Sequence, residues 1–251
     1  MKIAALYDIH GNLPALNAVL NELKEVQPDL IFIGGDIVSG PMPEKTLERL
    51  IQLGDKARYI RGNGDREVVM AFEGESLEHM SEKGSEKQQW VANQLTSSQR
   101  DFLSKMPTKK TLYIKGLGNI LFCHATPTSD EEIFTPHTSK ERLEAIFNDV
   151  NEPIVVCGHT HIQFKAEVGD LCILNAGSVG MPFADERGAY WLLLSSQGYE
   201  FRRTPYDEEA AAKEIGASND PQAQAFVNTY VQNVMTKSKG MEILESLVKK
   251  R

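Results

Sequence analysis

Three segments at the start of the chain fix most of what it can fold into. Residues 2–7, KIAALY, are an apolar run; residues 13–26, LPALNAVLNELKEV, set Leu13, Leu16, Val19, Leu20 and Leu23 on one helical face; residues 30–35, LIFIGG, are apolar again. Strand, helix and strand in that order make a βαβ unit, the building block of an α/β fold. A helix over about 44–52 and a third strand at 56–61 extend the pattern. Apolar runs return at 111–115, 120–123, 153–157, 171–174 and 189–194, and GLGN at 116–119 has the composition of a hairpin turn, so antiparallel pairs enter the second half.

Two stretches depart from this rhythm. Residues 73–107 are polar and charged, with Trp90, Leu95, Phe102 and Leu103 as scattered anchors, and read as short helices forming an insertion or cap. From Asp207 the chain is helical in pattern: DEEAAAKEI opens on acids that suit a helix N-terminus, Phe226, Tyr230 and Val234 recur at i, i+4, i+8, and Met241, Leu244 and Val248 follow. Residues 207–251 should therefore form a helical pair packed on the body or on a second subunit, which leaves a homodimer open. The expectation is a single domain over 1–251.

Seven ligand-type residues fall where predicted strands end. They are Asp8 and His10 in YDIHGN, Asp36 in GGDIVSG, Asn63 in RGNGD, His124 in FCHATP, and His159 and His161 in CGHTH. In an open α/β sheet that edge is where ligands bind. Imidazoles, carboxylates and one amide oxygen together favour manganese, iron or zinc over magnesium or calcium, which take oxygen almost exclusively. Seven donors are too many for one ion, so two sites are implied, with a carboxylate free to bridge them. On an extended strand end, i and i+2 share a side, so Asp8 with His10 and His159 with His161 would each present two donors to one place. Gly62 and Gly64 would bend the chain sharply and aim the Asn63 oxygen.

In their order along the chain, DIHGN, GGDxxxG, GNGD, a histidine after a strand, and GHTH resemble the calcineurin-like metallophosphoesterase superfamily, in particular its small bacterial and archaeal phosphodiesterase-like branch. The resemblance runs over roughly residues 1 to 196 and includes NAGSVGMP at 175–182. It implies an α/β fold built as a four-layer α/β/β/α sandwich of two mixed sheets flanked by helices. It also implies one metal on Asp8, His10, Asp36 and His161 and a second on Asp36, Asn63, His124 and His159. Asp36 and its partners would hold a bridging hydroxide that attacks phosphorus in line, without a protein nucleophile. Manganese is the leading expectation for both divalent ions, with iron, zinc or nickel as alternatives. The activity implied is that of a phosphodiesterase; a phosphomonoesterase or nucleotidase, a dinucleoside polyphosphate hydrolase, and a non-catalytic scaffold are the alternatives.

One position departs from the family. Many members carry a histidine after the Asn of GNHD or GNHE, thought to protonate the leaving group or hold the phosphate; this chain has Gly64. Acid catalysis, typically worth about 10²–10⁴-fold, is then absent or comes from elsewhere. Candidates for contacting substrate are Asn12, Arg66, His79, His137 and Arg187, with a helix cap as the competing role for Asn12. Asp65 is expected to cap a helix, or else to support a ligand histidine.

A net charge of −8, from 35 acids and 27 bases, argues against stable nucleic-acid binding and leaves a small phosphorylated molecule as the expected partner. The N-terminus meets an acid at position 8, so no segment suits a signal peptide or membrane span and a cytoplasmic location is expected. Cys123, Cys157 and Cys172, widely spaced inside apolar runs, should be free thiols.

Overall fold

The computed structural model describes residues 1–233 and 235–248. Its first half runs β1 (Ile3–Leu6), α1 (Leu13–Val26), β2 (Leu30–Ile33), α2 (Pro43–Ile51), β3 (Ala57–Tyr59) and α3 (Asn63–Glu73). The inserted segment supplies α4 (Glu82–Gln94) and α5 (Ser97–Ser104). Then follow β4 (Lys109–Ile114), β5 (Gly118–Cys123), α6 (Lys140–Ile146), β6 (Ile154–Cys157), β7 (Gln163–Val168), β8 (Leu171–Ala176), β9 (Ala189–Ser195) and β10 (Gly198–Thr204). The tail is α7 (Glu208–Gly216), α8 (Ala223–Phe226), which runs on into a π turn over Val227–Val231, and α9 (Lys237–Val248).

The strands form two five-stranded mixed sheets, ordered β10-β9-β1-β2-β3 and β4-β5-β6-β8-β7. β1, β2 and β3 are parallel, as are β5, β6 and β8; β9, β10, β4 and β7 join antiparallel. Sequence reasoning missed β7 and β10. Both are edge strands, QFKAEV and GYEFRRT, whose polar residues alternate with the apolar ones, so neither shows an apolar run.

Side-chain parity makes the layers. On β1, Ile3 and Ala5, followed by Tyr7, face a core shared with Phe122, Val156 and Leu174 of the second sheet, while Ala4 and Leu6 face a core shared with Leu16, Val19 and Leu47 of the helices. On the far side of the second sheet, Leu121, Val155 and Ile173 pack against Leu143 of α6 and Met241 and Leu244 of α9. Three cores separated by two sheets give the α/β/β/α sandwich.

The tail is not a helical pair. Ala211, Ile215, Phe226, Val227 and Val231 join the first core and α9 joins the third, so the tail passes from one outer layer to the other on the chain's own body. Of the expected repeat, Phe226 is buried and Tyr230 packs against the same core, while Val234 lies outside the described residues; Val248 is exposed. Burying side chains of this size is worth about 1.5–3 kcal/mol each. The inserted segment packs through Val91, Ala92, Leu95 and Leu103 onto the first core. All three cysteines are free, two buried and Cys172 half-buried. Among the described residues no helix is long and apolar enough to cross a membrane.

Candidate metal centre

The parallel strands of both sheets deliver the seven donor residues to one edge, but not on extended backbone. β1 ends at Leu6 and β6 at Cys157, and beyond them the chain turns through left-handed conformations. Asp8, His10, Asp36, His159 and His161 have φ of 52°, 48°, 51°, 67° and 59°; among the described residues the only other non-glycine with positive φ is Gln27. The expected i, i+2 alignment on a strand is therefore corrected. Each pair converges because both of its members are left-handed, a conformation open to Asp and His but costing on the order of 1–3 kcal/mol per residue.

Hydrogen bonds between loops hold that strain. Asp8 N, His10 N and Gly11 N donate to the carbonyls of Gly35, Asp36 and Ile37 at 3.1, 2.9 and 2.8 Å, lacing the loop after β1 to the loop after β2. The NAGSVGMP segment buttresses the other side. Ser178 Oγ donates to the Asp8 carbonyl at 2.7 Å, and Asn175 Nδ2 donates to the Gly158 carbonyl and to Thr160 Oγ1 at 2.7 and 2.9 Å. These supporting roles of Asn175 and Ser178 have no sequence signal beyond their place in a matched motif.

The donors gather in two groups, Asp8 with His10 and His161, and Asp36 with His124 and His159, each able to hold a metal ion. Asp36 joins them: its Oδ2 lies 3.7 Å from His10 Nε2 and its Oδ1 lies 3.5 Å from His124 Nε2. Asp8 Oδ1 stands 3.5 Å from His161 Nε2, 3.8 Å from His124 Nε2 and 3.9 Å from His10 Nε2, and is buried without a hydrogen-bond partner.

Each imidazole is oriented from behind. His10, His124 and His161 turn Nδ1 to the carbonyls of Ser39, Gly34 and Met181 at 3.3, 2.8 and 2.9 Å, which leaves Nε2 facing the cluster. His159 is reversed, with Nε2 on the Glu131 carbonyl at 3.2 Å, so Nδ1 faces inward. A ring nitrogen that donates to a carbonyl fixes the tautomer with its lone pair on the other nitrogen. Thus His10 Nε2 and His161 Nε2 meet at 3.1 Å with lone pairs opposed, which is repulsive unless a proton or a cation lies between them.

Asn63 poses the same question. With its nitrogen turned to the imidazoles it would donate to His124 Nε2 and His159 Nδ1 at 3.2 and 3.1 Å. The opposite orientation points its oxygen at those nitrogens and lets Nδ2 donate to Glu67 Oε1 at 3.5 Å. The first also lets Nδ2 donate to the Asp130 carbonyl and the oxygen accept from Gly64 N, both at 3.2 Å, so it satisfies the amide in the metal-free chain. The second orientation brings an amide oxygen and imidazole lone pairs to one point, and is the one a cation held there would require.

The GNG stretch is not a bend. Gly62 is extended at φ −92° and Asn63 and Gly64 open helix α3. The glycines are required by proximity instead: a Cβ on Gly62 would lie 2.2 Å from Asp36 Oδ1, and one on Gly64 would lie 2.6 Å from Ser39 Oγ. Asp65 is the third residue of the helix rather than its cap. Fully buried, it accepts from Ile37 N at 2.8 Å and Gly62 N at 3.2 Å, pinning the Asp36 loop to the start of α3.

Burial would raise the Asp36 carboxyl, but the imidazoles of His124, His10 and His159 hold it well below the usual carboxylate range. For Asp8 burial is likewise outweighed, chiefly by His161 and then His124. Burial would lower His124, yet Asp36 and Asp8 raise it to about 10. Burial and the neighbouring His124 lower His159 to about 4. One proton therefore sits on His124 at neutral pH and none on His159. A site that draws a proton inward between carboxylates is built for positive charge, and with the orphaned Asp8 oxygen and the opposed lone pairs it fits divalent cations.

The residues expected to touch substrate are scattered. Asn12 is fully buried: Oδ1 caps α1 at Ala15 N, Nδ2 donates to the Gly180 carbonyl, and the helix cap is the role the structure gives it. Arg187 pairs with Glu208, 2.5 Å away, and His137, its side chain 72% exposed, pairs with Glu245 of α9; neither partner belongs to the cluster. Arg66 is held by Asp130 at 2.8 Å and by a short contact to Glu131. His79 reaches the rim, with Nε2 3.8 Å from Glu67 Oε1, and forms a third group with Glu67 and Glu131. In that group Glu131 already faces Arg66, and Glu67 accepts from Gln88 Nε2 at 2.8 Å.

Residues 1–198 match the family model for the calcineurin-like phosphoesterase superfamily domain. An uncharacterized protein of Methanocaldococcus jannaschii is 29% identical over 238 residues, 88% of this chain and 94% of the relative. Phosphodiesterase YfcE of Escherichia coli is 28% identical over 203 residues, 77% and 87% of the two. Among solved structures, a hypothetical protein of Pyrococcus horikoshii superposes with a TM-score of 0.79 at 20% identity, over 93% of this chain and 99% of that one. A metallophosphoesterase of Sphaerobacter thermophilus gives 0.72 at 21%, over 92% and 100%.

Proposed function

We propose that this chain, which belongs to the calcineurin-like phosphoesterase superfamily, is a phosphodiesterase that works with two divalent ions, manganese first among them, on a small phosphorylated substrate in the cytoplasm. The observation that carries the reading is the Asp36 carboxylate, which offers one oxygen to each donor group. Asp8, His10 and His161 would hold one ion, and Asn63, His124 and His159 the other. Ions so held acidify water at neutral pH and stabilise the attacking and leaving oxygens of a displacement at phosphorus.

The chain's own part is orientation. Carbonyls behind the four imidazoles keep a lone pair aimed inward, and the left-handed loops fix the carboxylates before substrate arrives. The rim favours a diester over a monoester: Arg66 is neutralised by Asp130 and Glu131, and Glu67 adds a carboxylate nearby, a setting that penalises a second negative charge on the phosphate. The relative named as a phosphodiesterase points the same way. His79 is the rim residue best placed to contact the substrate or its leaving group.

The test is metal analysis followed by assay with added Mn²⁺ against aryl phosphodiesters, phosphomonoesters and nucleotides. Two ions per chain and faster turnover of diesters are expected. Preference for monoesters would overturn the substrate class, and two bound ions without hydrolysis of any ester would favour a scaffold.

A further inference from the structure

A buried side chain of the inserted segment is bonded to residues that stand behind the donor groups. Gln88 lies on α4, only 5% exposed, beside the apolar Val91 and Ala92. An amide buried there costs free energy unless its hydrogen bonds are made, and both ends are satisfied. Nε2 donates to Glu67 Oε2 at 2.8 Å and Oε1 accepts from Ser39 Oγ at 3.1 Å.

Both partners back a donor residue. The other oxygen of Glu67 accepts from Asn63 Nδ2 at 3.5 Å, and the Ser39 carbonyl faces His10 Nδ1 at 3.3 Å. The chain of bonds has one polarity. The Glu67 carboxylate only accepts, so Gln88 turns its nitrogen to it and leaves its oxygen for the Ser39 hydroxyl; Asn63 makes the matching bond in the orientation that turns its oxygen to the imidazoles, the one a cation between them requires. The same hydroxyl occupies the space a side chain at Gly64 would need.

We propose that Gln88 is a positioning residue through which the inserted helix sets both donor groups at once, His10 by way of Ser39 and Asn63 by way of Glu67. The proposal rests on the two-ion reading above. It assigns the insertion a role in building the centre.

The test uses the full chain and Mn²⁺ alone, followed by calorimetry and electron paramagnetic resonance, with the melting of the metal-free protein as control for folding. Gln88→Leu should weaken both Mn²⁺ binding steps by about 10–100-fold, the range for residues that orient metal ligands from behind. Ser39→Ala, which cuts only one arm, should weaken one step and leave the other. Wild-type affinity for both ions in a folded Gln88→Leu protein overturns the proposal. So does unchanged binding in Ser39→Ala, which decides the matter if Gln88→Leu does not fold. A wild-type protein that takes up no Mn²⁺ overturns the two-ion reading itself, and the positioning role falls with it.

Discussion

The backbone amide of Gly64 donates to Asp36 Oδ1 at 2.7 Å, so the N-terminus of α3 is docked on the carboxylate that joins the two donor groups. An anion is favoured there by the free amides and the helix dipole. The approach is possible because residue 64 lacks a side chain.

Gly64→Ala pits two effects against each other. Alanine in a helix gains up to about 1 kcal/mol over glycine. Here its Cβ would stand 2.6 Å from Ser39 Oγ and 3.1 Å from Asp36 Oδ1, and such overpacking costs about 1–3 kcal/mol. The loss should win, lowering stability in urea melts and weakening Mn²⁺ uptake, and Ser39→Gly in the same chain should recover part of the stability. A Gly64→Ala protein as stable and as metal-avid as wild type would contradict this geometry.

Asp36→Asn keeps the shape of the side chain and its contact with Gly64 but removes the charge shared by His10 and His124. Both ions should be lost together, with a fall in Mn²⁺ content after dialysis from two per chain toward none and activity down at least about 10²-fold. The metal-free variant should melt lower, since His124 loses the carboxylate that chiefly raises it, and that melt is the control for folding. Retention of one ion at full occupancy would show that Asp36 serves one group only.

Metal uptake should release a proton. In the metal-free chain His124 titrates near 10, raised above its ordinary value of 6.5 by Asp36 and Asp8 against the effect of burial, whereas His159 titrates near 4 and is already neutral. A raised histidine stabilises the metal-free fold fully below pH 6.5 and ceases to do so as pH rises through about 10. Between those limits a cation on His124 must displace its proton, so apparent affinity should rise about tenfold per pH unit. Titration calorimetry of Mn²⁺ at pH 8 in buffers of different ionisation enthalpy should show about one proton released per chain. Binding with no proton release and no pH dependence would place the proton elsewhere.

Most of the order of elements was legible in the sequence, and so were the seven residues that the structure gathers at one edge, because buried parallel strands are written as apolar runs and these residues lie in the turns after them. Edge strands β7 and β10 were not legible, since half their residues face water and the run is broken. Nor was the left-handed backbone at Asp8, His10, Asp36, His159 and His161. Asp and His tolerate that conformation without requiring it, and the bonds that impose it come from segments distant in sequence. The same holds for Asp65 and Gln88: a carboxylate in a helix's first turn and an amide in a polar helix have ordinary local roles, and only the fold brings them to Asp36 and Glu67.

The absence of a side chain at Gly64 bears on the leaving group. No proton donor can act from that position, and the space beside it is filled by Ser39. Of the histidines outside the two donor groups, His137 is committed to Glu245, which leaves His79, with its side chain 43% exposed at the rim. If His79 donates no proton, esters with poor leaving groups should suffer most, because general acid catalysis is worth about 10²–10⁴-fold when a proton must be delivered. Rates for a series of aryl phosphodiesters should fall steeply with rising leaving-group pKa, and His79→Ala should leave that slope unchanged. A shallow wild-type slope that steepens in His79→Ala, with chemistry shown to limit the rate, would instead identify His79 as the donor.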